Sequence, residues 1–148
     1  MRNFTLWNRW LWIASLVLVV FGVAMALLNR TIVFSTLNRS IDPVFWPAGV
    51  PEGVNEFQAW VYGAWGATVI GWGVMAAVLV RFAFSRREAW TWWALAAGIG
   101  AWYVIDTAIS ALHGVWINVI LNTVLMVMFA IPLAATCRAC LAPPPKSG

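Results

Sequence analysis

Four apolar runs, each long enough to cross a lipid bilayer, constrain this chain more than any other feature. They cover residues 10–28, 57–80, 89–112 and 115–135, and Asp106 is the only Asp, Glu, Lys, Arg or His inside them. At 1.5 Å per residue the shortest reaches about 28 Å, close to the ~30 Å thickness of bilayer hydrocarbon. Backbone amides there find no water, and a helix pairs them internally where an isolated strand cannot. All four runs are therefore expected to be helical. Apolar residues make up 63% of the chain and charged residues 9%. Soluble domains carry about 45–50% and about 25%, so this chain has too little polar surface to face water. The expected fold is an all-α membrane protein, a four-transmembrane-helix bundle filling residues 1–140. Residues 141–148, with Pro143-Pro144-Pro145, read as a disordered tail.

The net charge of +4 comes from nine Lys/Arg against five Asp/Glu. These basic residues sit at the ends of apolar runs and form no basic stripe, so they read as topology signals and lipid-headgroup contacts. No nucleic-acid partner is expected. Arg2, Arg9, Arg81, Arg86, Arg87, Arg138 and Lys146 fall on one side of the alternating spans, and only Arg30 and Arg39 on the other. The positive-inside rule puts the first group, and both termini, in the cytoplasm. A bacterial inner membrane is the expected location. The long loop between the first two spans then lies outside. Most of the twelve tryptophans fall at span ends, as an interfacial belt does, while Trp65, Trp72 and Trp102 lie deeper. Ala24-Met25-Ala26 resembles a signal-peptide cleavage site. The apolar run continues through Leu27 and Leu28, which favours a retained helix.

Local signals mark the boundaries. Ser85-Arg86-Arg87-Glu88 reads as a capping box opening the third span, and Asn55 with Gln58 as a weaker one opening the second. His113-Gly114 reads as a glycine-capped end that makes the third and fourth spans antiparallel neighbours. Within the outer loop, Asp42-Pro43 suits the start of a short helix. Asn29 and Asn38 begin glycosylation-type triplets, which are frequent by chance. Ala59, Gly63, Ala67 and Gly71 put a small residue every four positions along the second span, with Gly66, Gly73 and Ala77 as a second stripe. Such stripes let helices approach closely, inside the monomer or across a homodimer. Gly22 with Ala26, and Ala94, Gly98 and Ala101, are candidate mating surfaces. Pro132 removes one backbone hydrogen bond from the fourth helix.

Asp106 is the most informative residue. An ionisable group in a span faces protein or water, not lipid. Folding the third and fourth spans about His113-Gly114 sets Asp106 opposite Leu121, between Asn118 and Asn122. Ser110 shares the face of Asp106, and Trp102 lies one turn below. Trp65 and Trp72 share a face of the second span and add aromatic walls. The candidate ligand-binding set is Asp106, Asn118, Asn122, Ser110, Trp102, Trp65 and Trp72. The bland alternative is a structural network in which both asparagine amides donate to Asp106 and fix the helix register.

Catalytic signatures are lacking. A Ser110–His113–Asp106 assembly can be drawn, but spacing on one helix end does not establish a triad. Cys137 and Cys140 form a CxxC that supplies two of the four ligands a zinc site needs. They read as two reduced thiols near the headgroups. No metal, cofactor or enzymatic activity is expected. The residues Trp65-Gly66-Ala67, Gly71-Trp72-Gly73, Trp102 to Asp106, Asn118 and Asn122 resemble a set of small bacterial four-helix integral membrane proteins without an established activity. That resemblance implies topology alone. Two functions fit. One is an integral membrane protein that binds a lipid, a small apolar ligand or a partner helix through an outward-facing polar and aromatic cavity. The other is a small transporter or channel subunit with Asp106 as a proton or cation site.

Overall fold

A computed structural model describes residues 2–141, apart from the side chain of Arg2. The tail expected from residue 141 lies outside the described residues except for Leu141, which ends the last helix. In chain order the elements are α1 (Arg2–Leu27), α2 (Ile32–Phe45), α3 (Val54–Phe82), a 3-10 turn (Phe84–Arg86), α4 (Ala89–Leu112) and α5 (Trp116–Leu141). Among the described residues there are thus five α-helices and no strand. α1, α3, α4 and α5 are long and apolar enough to cross a membrane. Their outward faces are apolar: Leu112 is 84% exposed and Val20 68%. Scattered exposed apolar side chains are ordinary in soluble proteins, but here they cover whole helix faces, which suits hydrocarbon as the solvent.

Several local expectations need correction. The segment between the first two spans is not an open loop, because half of it is the 14-residue helix α2. Asp42-Pro43 lies in the last turn of α2 and does not begin a helix. Neither capping box forms. α4 is preceded by Glu88, which makes no side-chain cap bond, and the Ser85 hydroxyl donates back to the Arg81 carbonyl at 2.8 Å. α3 opens after Gly53, in the left-handed region at φ 83°, and Gln58 bonds elsewhere. The α4–α5 turn does form as read. Gly114 at φ 74° donates to Ala111, and Val115 donates to Ser110, the paired bonds of a Schellman motif.

The helices associate as two hairpins. α1 packs along the full face of α3, α4 packs along α5, and α1 meets α5 to join the pairs. α3 and α4 barely touch. The α1–α3 contact is backbone against backbone. A methyl group added at Gly66 would sit 2.6 Å from the Ala26 nitrogen and the Gly22 carbonyl oxygen. One added at Gly73 would sit 2.8 Å from the Val19 side chain and 3.0 Å from the Ser15 carbonyl. In a bilayer, where lipid tails provide no hydrophobic push between helices, close van der Waals packing of this kind is what would hold the pair together. The stripe Ala59, Gly63, Ala67, Gly71 does not do so. Gly63 and Gly71 have open space where a side chain would be, and Ala67 and Gly71 are exposed. The intramolecular seam belongs to Gly66 and Gly73. Gly22 and Ala26 mate as expected, whereas Gly98 on α4 faces open space.

Near the 3-10 turn the bundle closes on an apolar core of Leu11, Val80, Phe84, Leu95, Phe129 and Leu133. Cys140 is buried in this core, and Cys137 is half-buried. Phe4 stacks on Phe84 with ring centres 5.7 Å apart, and the Arg87 guanidinium lies 4.7 Å over the Phe4 ring. Pro132 leaves the Met128 carbonyl without its helical donor. The Trp10 indole of α1 supplies one, Nε1 donating to that oxygen at 2.9 Å. Trp92 likewise donates from α4 to the Leu133 carbonyl at 2.8 Å.

Two outcomes follow for thermal unfolding in detergent. Gly66→Ala must displace backbone and is expected to cost about 1–3 kcal/mol, whereas Gly63→Ala is expected to be neutral or slightly stabilising. Equal losses would contradict the seam. Trp10→Phe is expected to cost about 0.5–2 kcal/mol. That cost should fall toward zero in a Pro132→Ala background, where the substituted residue brings its own N–H to the Met128 carbonyl. Additive effects would show that the indole does not serve the freed carbonyl.

Candidate functional site

Because α3 and α4 stand apart, a cleft of about 770 Å³ remains between the two hairpins. That lies within the ~300–1,000 Å³ usual for small-molecule sites. Leu18, Phe21 and Met25 of α1 and Leu121, Leu125 and Phe129 of α5 form its back wall. α3 and α4 are its lips. Phe34, Leu37, Ile41 and Phe45 of α2 close one end. All seven sequence-predicted residues (Trp65, Trp72, Trp102, Asp106, Ser110, Asn118 and Asn122) line this one cavity. Trp65 and Trp72 are exposed on α3, and Trp102 is half-buried on α4.

The polar residues are brought together at the α2 end. Asp106 Oδ1 accepts from Ser110 Oγ at 3.2 Å and from Asn118 Nδ2 at 2.8 Å. Asn118 Nδ2 also donates to Ser110 Oγ at 2.7 Å. The helical spacing of Asp106 and Ser110, and the glycine turn that folds α5 back on α4, account for this meeting. The expected role of Asn122 needs correction. It is buried, and its amide donates to Thr107 Oγ1 at 3.4 Å, not to Asp106. Asn122 sits one helical turn deeper than Asn118 and pairs with the next residue of α4. His113 does not complete a triad: its Nδ1 faces the Ile109 carbonyl at 2.9 Å, while Ser110 pairs with Asp106 and Asn118. Among the described residues no group of three or more His, Cys, Asp or Glu could hold a metal ion.

A second network ties α2 down over the cavity. Gln58 Nε2 donates to Asp42 Oδ1 at 2.6 Å, Asn38 Nδ2 donates to Gln58 Oε1 at 3.3 Å, and Tyr62 OH donates to Asn38 Oδ1 at 2.7 Å. Asn29 Nδ2 donates to the Ala59 carbonyl at 3.1 Å and to two carbonyls at the end of α1. Both glycosylation-type asparagines are thus engaged in the fold. Arg30 and Glu56 pair at 2.5 Å nearby, but both are exposed and the pair contributes little. The sequence reading placed the outer loop over the mouth of the bundle but missed that Ile32–Phe45 of it is a helix that walls the site. The available signal was the helical spacing of Phe34, Leu37, Ile41 and Phe45, which Pro43 obscures.

No protein-family model matches the chain, and neither a curated protein nor a solved structure is significantly similar to it.

The cluster gives a direct stability contrast. Asp106→Leu leaves the Asn118 amide and the Ser110 hydroxyl without their acceptor and is expected to cost about 1–3 kcal/mol. Asp106→Asn keeps an acceptor oxygen and should cost clearly less. Identical melting temperatures in detergent would contradict the pairing.

Proposed function

We propose that this chain is a multi-pass membrane protein that holds a lipid or small amphipathic molecule in the cleft between α3 and α4. The observation that carries the reading is the cleft's division: one polar cluster at the α2 end and apolar walls along the rest. Few convergent polar groups in an apolar pocket fix a ligand's orientation while its body is buried. The sparse contact between α3 and α4 favours access from the surrounding lipid.

Orientation follows from charge. Arg81, Arg86 and Arg87 lie at the 3-10 turn, and Arg9 and Arg138 belong to the ends of α1 and α5 packed around it. Arg30 and Arg39 lie at the α2 end. The positive-inside rule favours the 3-10 turn and both termini in the cytoplasm, with α2 as an outer cover. The reading is non-enzymatic. Passage through the protein by way of Asp106 is the weaker alternative, because the cleft ends at the core of Leu11, Val80, Phe84, Leu95 and Leu133.

Gly98 lines the cleft and has open space where its side chain would be. Gly98→Phe is therefore expected to fill the cleft while leaving the fold intact. Ligand or lipid retained by the purified wild-type chain should be absent from this variant, whose melting temperature should match that of wild type stripped of its ligand. Equal retention by both proteins would rule the cleft out as the binding place.

A further inference from the structure

Three features of the cleft bear on what kind of molecule it takes. The first is the unbalanced carboxylate. Both hydrogen bonds that Asp106 accepts fall on Oδ1, from the neutral groups Ser110 and Asn118. Oδ2 has no protein donor among the described residues. No Lys or Arg among them lines the cleft. Its other titratable groups are Tyr62, which donates to Asn38, and His113, whose Nδ1 is engaged with Ile109. A carboxylate at membrane depth is costly without a counter-charge, and no Lys or Arg among the described residues lines the cleft to supply one.

The second feature is aromatic. Trp102 lies one helical turn from Asp106, and Trp65 and Trp72 line the opposite lip. Indole faces attract cations, most strongly where water is excluded. The third is shape. From Asp106 to Ala94, α4 runs along the cleft for twelve residue steps, about 18 Å at helical rise. Leu95, Val69, Leu18 and Leu125 make this stretch apolar. A hydrocarbon chain lying there would place its head group at Oδ2.

We infer that the occupant of the cleft is a cationic amphiphile: an aliphatic ammonium head set between Asp106 and the tryptophans, with a hydrocarbon tail directed toward Leu95. The inference rests on the cleft being the binding place proposed above. A neutral hydroxyl head would satisfy Oδ2 as a donor but leave the charge unmatched, so the probes must separate charge from hydrogen bonding.

The test uses the full chain in micelles of an uncharged steroidal glycoside detergent, which brings neither an alkyl chain nor a charge. Equilibrium binding of dodecyltrimethylammonium and of dodecanol is measured for wild type, Asp106→Asn, Trp102→Leu and Gly98→Phe. Dodecyltrimethylammonium should bind saturably, at least about tenfold more weakly to Asp106→Asn and several-fold more weakly to Trp102→Leu. Dodecanol should bind wild type and Asp106→Asn alike, and Gly98→Phe should lose both probes. If Asp106→Asn and Trp102→Leu keep full affinity for the ammonium probe while Gly98→Phe loses it, the cleft binds amphiphiles but the cationic preference is wrong. If Gly98→Phe changes neither probe's binding, the cleft itself is wrong, and the inference falls with it.

Discussion

α1 and α3 approach until glycine backbone meets backbone, and most of the architecture follows from that contact. Gly22 faces Gly66, and Ser15 and Val19 face Gly73, in antiparallel register. Helices that approach this closely leave no room for a third between them. α4 and α5 are held to each other by the glycine turn at Gly114 and reach the first pair through α1 and α5. α3 and α4 are thereby left apart, and the space between them is the cleft. Such a seam suits a bilayer, where apolar side chains gain nothing by leaving lipid and tight packing supplies the attraction.

The same solvent explains where the polar groups go. Hydrocarbon would offer them no partner, and they pair across or along the helices, with Asn8 Oδ1 the one buried side-chain atom left without a partner among the described residues. Pro132 frees the Met128 carbonyl, and the Trp10 indole answers it from α1. Thr136 and Ser15 return their hydroxyls to carbonyls of their own helices. Asp106 departs from the pattern in charge, not in hydrogen bonding. Its partners are neutral, and it sits at the polar end of an apolar cleft, where the proposed reading makes it the anchor for something that is not part of the chain.

The four membrane-length helices and the α4–α5 hairpin were legible because single local rules dictate them: apolar length for the first, a left-handed glycine for the second. The meeting of Asp106, Ser110 and Asn118 followed from helical spacing on either side of that turn. Asn122 was misassigned because both asparagines share a face, and only the packed register shows that the lower one meets Thr107. The choice between the two small-residue stripes of α3 was not legible. The more regular stripe lost because Gly22, Val19 and Ser15 on α1 match the spacing of Gly66 and Gly73. α2 stayed hidden for a different reason. Its helix carries a proline near its end, and its fixed position depends on Gln58 and Tyr62, far along the chain. Gln58 shows the general cause, since a residue suited to a helix cap was taken by a tertiary partner instead.

Native mass spectrometry of the full chain released from mild detergent tests the central claim most directly, because it weighs the protein together with whatever the cleft retains. One amphipathic molecule per chain is expected, surviving activation strong enough to strip loosely adhering lipid. A bare polypeptide mass under gentle conditions, with ordinary lipids still clinging to the rest of the population, would contradict it.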